Sequence, residues 1–170
     1  MRRVLLAIAI IGLMGASPAL GRSVTFSGSC ALSGTVSFEP FLTVAPQAVV
    51  QTAFAAGTCS GTLRGRPISG VSATYAARSE APDGSCLGGT ASGSGTLKFG
   101  GARLRFTMSE TRAAAFPLLM LQGARSGSAS AVVTPSTSQD PIATLQACGG
   151  GGLRQFSFDG RLQTTPQITG

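Results

Sequence analysis

The chain has 170 residues, no histidine and no tryptophan, and 13 basic against six acidic residues, for a net charge of +7. Without histidine there is no Ser-His-Asp triad, no Cys-His pair, no imidazole metal site and no imidazole pH switch. Charged residues make up 11% of the chain, against about a quarter in an average soluble domain, so the wetted surface has to be built from Ser, Thr and Gly.

Met1-Arg2-Arg3 precede an apolar run from Val4 to Met14 and then Gly15-Ala16-Ser17-Pro18. Charge, apolar core and small residues in that order predict a secretory signal over residues 1–21, with Ala19 and Gly21 as the small residues before the cut. The apolar run is too short for a membrane span, which needs roughly 20 residues. Residues 22–170 are then one secreted domain of charge +5, since Arg2 and Arg3 leave with the signal. No linker or charge run divides it.

From Val24 to Phe38 every even position is apolar or glycine, and the odd positions are Thr25, Ser27, Ser29, Ala31, Ser33, Thr35 and Ser37. A period of two held that long predicts a β-strand with one buried and one wet face. Glu39-Pro40 is expected to end it, because proline donates no ladder hydrogen bond. Val49 to Leu63 repeats the alternation, and Val71, Ala73 and Tyr75 mark a third strand after Gly65-Arg66-Pro67. Glu80 to Cys86 reads as a solvated loop. Gly93, Gly95, Leu97 and Phe99 lead into Gly100-Gly101, and Leu104, Phe106 and Met108 return, which predicts a tight hairpin. Shorter strands follow at Phe116 to Leu121 and Ser126 to Val133.

One helix is predicted over 141–147. Asp140 is its N-cap and Pro141 its first residue, and Gly149 is expected to end it in left-handed conformation. Leu153 to Thr164 is the last strand, with Phe156, Phe158 and Leu162 inward. About eight strands in consecutive order give an all-β fold, an antiparallel meander closing as an up-and-down β-barrel, with a two-sheet sandwich as the alternative. Inward glycines at 28, 34, 57, 61, 93 and 95 suit the bending that closure needs.

Cys30, Cys59, Cys86 and Cys148 all lie in the exported part and have no metal-ligand spacing. An even set outside the cytoplasm predicts two disulfides. Of three connectivities, Cys30–Cys59 with Cys86–Cys148 is preferred, because each pair then closes within one half of the chain.

Candidate chemistry is sparse. The inward phase of Leu104, Phe106 and Met108 carries on to Glu110 and Arg112, which reads as a polar cluster at the barrel mouth that could orient a ligand, or as a salt bridge capping the core. Glu80, Asp83, Glu39, Asp140 and Asp159 offer no evident carboxylate pair for glycoside chemistry. Arg103 with Arg105, and Arg64 with Arg66, suggest local positive patches, but the stacking aromatics that single-stranded nucleic acid needs are missing. No metal, cofactor or nucleic-acid site is expected, and no membrane association once the signal is removed.

The succession Phe26 to Cys30, Gly57 to Leu63, Gly95 to Phe99, Arg105 to Arg112, Asp140 to Cys148 and Asp159 to Leu162 resembles small secreted proteins of GC-rich soil actinobacteria over nearly the whole mature chain. That resemblance implies export and a two-disulfide β domain, and it carries no catalytic or binding residue to this sequence. The expectation is a non-catalytic extracellular β domain that binds a small apolar or glycan-like ligand or serves as a stable envelope component. The alternatives are a histidine-free enzyme using Glu110 with Arg112 or paired acids, and a protease inhibitor presenting the Glu80 to Cys86 loop.

Overall fold

The computed structural model describes residues 23–113 and 116–170; the signal segment over 1–21 lies outside them. Eight strands close into one antiparallel barrel in sequence order. They are β1 (Thr25–Leu42), β2 (Gln47–Leu63), β3 (Arg66–Gly84), β4 (Gly88–Phe99), β5 (Ala102–Ala113), β6 (Phe116–Gly123), β7 (Ser126–Pro135) and β8 (Leu153–Thr169), with a helix α1 (Pro141–Gly149) between the last two. The barrel is therefore an up-and-down one, and the sandwich alternative is excluded. β1 pairs with β8 from Thr25↔Thr169 to Leu42↔Leu153, which removes both free edges.

Element ends differ from the sequence expectation in several places, β8 among them, which runs on from Thr164 to Thr169. β1 runs through Pro40 to Leu42 because its ladder with β2 stops at Glu39↔Val50 and its ladder with β8 is irregular between Ser37 and Leu42, so Pro40 is not asked for a donor. β3 begins at Arg66, directly after a tight Arg64-Gly65 turn in which both residues have positive φ, and it continues to Gly84. The stretch expected as a loop is thus mostly strand, paired to β2 through Val50↔Glu80 and Val49↔Ala81. Gly149 does not adopt the left-handed conformation; the cap is Gly150 with φ −106°, and Gly152 is the first glycine there with positive φ. Asp140 caps the other end by accepting from the Ile142 and Ala143 amides.

Inward glycines are explained by strand spacing. A Cβ on Gly34 would run into the Phe54 carbonyl oxygen on β2, and one on Gly93 into the Arg78 carbonyl oxygen on β3. Glycine lets these backbones approach more closely than any other residue could. The Gly100-Gly101 turn has φ of 54° and 70°, as a two-residue hairpin requires.

Apolar side chains point in and Ser and Thr point out along β1. Elsewhere the outer wall also carries exposed apolar side chains, Phe54 on β2, Leu118 and Met120 on β6 and Val132 on β7. The closed end of the barrel is filled: Phe26 and Phe99 meet edge to face with centroids 4.8 Å apart, beside the fully buried Leu97, Leu104, Leu121 and Ile168. A second, smaller cluster of Phe38, Leu42, Val49, Cys148 and Leu153 sits at the opposite end, where it seats α1. The disulfides are Cys30–Cys59, directly across the β1–β2 ladder, and Cys86–Cys148, between the β3–β4 connection and α1. All four thiols are thereby oxidised, which suits an oxidising, extracellular environment.

Candidate functional site: the barrel interior

Period two on β5 turns Glu110 inward behind Leu104, Phe106 and Met108, and it is only 7% exposed. Arg112 follows on the same face. Its Nη2 donates to Glu110 Oε1 at 2.5 Å and to Gln51 Oε1 at 3.1 Å, and its guanidinium lies 5.5 Å from the centroid of the Phe38 ring. This is the one salt bridge among the described residues. Gln51 lies on β2, so Arg112 extends past the inward faces of β3 and β4. It can do so because those faces carry Ser79, Ala81, Ala91 and Gly93.

Tyr75 stands below this group, stacked on Phe106 at 5.6 Å, and its hydroxyl has only the Met108 sulfur as partner, at 3.6 Å. Burial pushes its phenol well above the ordinary value, and the nearby Glu110 carboxylate pushes it further. Gln51 and Ser79 were not picked out by sequence reasoning. The available signal was a polar residue in an apolar phase, Val49-Gln51-Ala53-Ala55 and Ala73-Tyr75-Ala77-Ser79-Ala81. Both are 4% exposed and face each other across the β2–β3 ladder.

Above the packed end the interior opens into a cavity of about 350 Å³, in the range of small-molecule sites and an order of magnitude above one water's share of liquid, about 30 Å³. Leu32, Val36, Leu119, Leu121, Phe158 and Leu162 form one side of its wall. The Gln51, Tyr75, Ser79, Glu110 and Arg112 group lies on another. Val36 and Phe156 pack against both apolar clusters, so the cavity lies between two solid cores.

Among the described residues, three connections frame the mouth. Val44 comes from between β1 and β2, Leu87 from between β3 and β4, and Thr144 and Leu145 from α1. Val44, Leu87 and Leu145 are 48%, 67% and 72% exposed. The Cys86–Cys148 bond ties two of these connections together, and the Cys86 amide donates to the Thr43 carbonyl at 2.9 Å to bring in the third. The mouth is therefore a stapled rim.

The other candidates do not join this site. Glu80 and Asp83 are on the exposed outer face of β3, where Asp83 accepts from the Thr90 amide and hydroxyl. Asp159 accepts from the Ser33 hydroxyl on the outer wall, and Asp140 is the helix cap. Among the described residues Glu110 is the single carboxylate in the cavity lining. Arg64, Arg66, Arg103 and Arg105 cluster at the closed end, at or beside the β2–β3 and β4–β5 turns. No group of His, Cys, Asp and Glu among the described residues could hold a metal ion. The chain matches no family model, no curated protein and no solved structure.

Proposed function

We propose that this chain is a secreted carrier-type β-barrel that holds a small, largely apolar ligand in its interior without transforming it. The observation that carries the reading is the 350 Å³ cavity, walled by aliphatic and aromatic side chains and reached through a rim held by a disulfide. Filling the interior with side chains would have been the more stable outcome, since empty apolar volume costs on the order of 20 cal/mol per Å³. Apolar lining favours a hydrocarbon-rich ligand over a glycan, whose hydroxyls would lose their water to Leu and Phe.

Enzymatic use of the same interior is less well supported. Glu110 is engaged by Arg112, and paired-acid hydrolysis would need a second carboxylate about 5–9 Å away that the lining does not contain. Export rests on the signal architecture of residues 1–21 and agrees with the two disulfides.

Native mass spectrometry of the protein purified from culture medium, compared with the same sample after solvent extraction, tests both parts. The expected result is a chain beginning near Arg22 that carries a non-covalent adduct of a few hundred daltons. A chain retaining residues 1–21 would overturn export. Absence of any adduct, together with failure to bind an alkyl probe series, would overturn the carrier reading.

A further inference from the structure

The polar wall of the cavity also limits what kind of head group its ligand can have. Among the described residues Arg112 is the only cation in the lining, and Glu110 neutralises it at 2.5 Å. An anionic head would meet a site of zero net charge in which the carboxylate is the less movable partner: Glu110 is 7% exposed on a strand flanked by β4 and β6. Away from bulk water such an unpaired charge is expensive.

What the wall does offer is neutral donors. A guanidinium only donates, so the Gln51 amide must turn its oxygen to Arg112, which leaves its NH2 facing the cavity. The Ser79 hydroxyl beside it has no protein partner. Neither group is sealed in, since no fully occluded side-chain nitrogen or oxygen among the described residues lacks a hydrogen bond. The Tyr75 hydroxyl has only a sulfur contact. Three neutral donors on β2 and β3 thus line one side of the cavity, and β6, across the barrel from them, supplies Leu119 and Leu121.

We infer that the ligand is an amphiphile with a neutral, hydrogen-bond-accepting head, such as an ester, amide or alcohol, placed against Gln51 and Ser79, and with its hydrocarbon body against Leu32, Leu119, Phe158 and Leu162. This rests on the carrier reading and adds to it a discrimination against carboxylates.

The test uses four probes with one tail: 1-decanol, methyl decanoate, decanoate and the headless control decane, at a pH of about 8, with affinities measured by calorimetry on the disulfide-intact protein. The two probes with neutral heads are expected to bind roughly tenfold or more tighter than decanoate. Glu110→Gln keeps an acceptor for Arg112 but frees its charge, and should shift the preference toward decanoate by a similar factor. Ser79→Ala, a change too small to threaten folding, should weaken methyl decanoate severalfold and leave decane unaffected. Equal or tighter binding of decanoate to the unaltered protein overturns the head-group assignment while leaving the carrier reading intact, as does an unchanged probe ratio in both variants. If none of the probes binds, the carrier reading itself falls.

Discussion

Arg112 on β5 and Gln51 on β2 are joined by a 3.1 Å hydrogen bond across the barrel interior, bridging strands that are not neighbours in the sheet. The contact depends on Glu110, which holds the other side of the same Nη2. Replacing Arg112 by Met would leave the Glu110 carboxylate nearly buried without its partner, a change that costs about 3–5 kcal/mol where both groups are desolvated. Arg112 retains 11% exposure, which places the expected loss at the lower end. The double variant E110Q/R112M should lose less than the two single changes together, because no uncompensated charge remains. Urea unfolding of the four proteins checks this, and strict additivity would mean that the pair is not coupled.

Tyr75 makes stability depend on alkaline pH. Its phenol titrates higher in the folded protein than in the unfolded chain, first because it is buried and second because Glu110 is near. The unfolded chain therefore loses this proton first, at a pH of about 10, and the stabilisation is complete below that value and falls as pH rises above it. Melting temperature should decline more steeply above a pH of about 10 in the parent protein than in Y75F. Every other group is common to both proteins, so the difference isolates Tyr75. Parallel curves would exclude the effect.

The barrel was legible in the sequence wherever one face was consistently buried. Val24 to Phe38 and Ala102 to Glu110 alternate throughout, and their strands followed. Strand ends were less legible: Pro40 and Pro67 look like breaks, yet both fall within strands, Pro40 where the ladder with β2 has ended and that with β8 is interrupted, and Pro67 beside the β2–β3 turn. The last segment of β8, through Thr164-Thr165-Pro166-Gln167, lost the apolar phase because its pairing with β7 shifts register between Gly127 and Ser128. Glu110 and Arg112 were visible from their phase alone. The cavity was not, because its volume depends on how widely eight strands close, and period two fixes only which residues face in. Gln51 meets Arg112 through a hydrogen bond that crosses two strands, which no local pattern encodes.

The two disulfides should have separable effects. Each closes a loop, of 29 and 62 residues in sequence separation, and chain-entropy arguments assign to each roughly 3.5–4.5 kcal/mol of stabilisation. Cys30–Cys59 joins neighbouring strands inside the barrel, so C30S/C59S should lower the melting temperature and leave ligand exchange rates close to the parent's. Cys86–Cys148 joins the rim to α1, and C86S/C148S should additionally release bound probe faster, by roughly tenfold, as the rim opens on its own. Stopped-flow displacement of a fluorescent alkyl probe provides the rates. Identical dissociation from both double variants would remove the rim from the exchange pathway.

Ala131 tests whether the interior space is retained for a ligand. It lies on β7, lines the cavity, and has Leu119 of β6 and Leu162 of β8 as its ladder partners. Leucine there would occupy part of the space that the ligand is proposed to fill. The added side chain should bury new apolar surface without displacing backbone, so stability should hold or rise by about 1 kcal/mol, as cavity-filling changes commonly do. Affinity for methyl decanoate should fall by roughly tenfold or more in the same variant. A gain in stability with loss of binding is the pattern of a site kept open at the expense of packing. Loss of both would instead mean that the wall at Ala131 is already close-packed. Unchanged affinity would place the ligand elsewhere in the barrel.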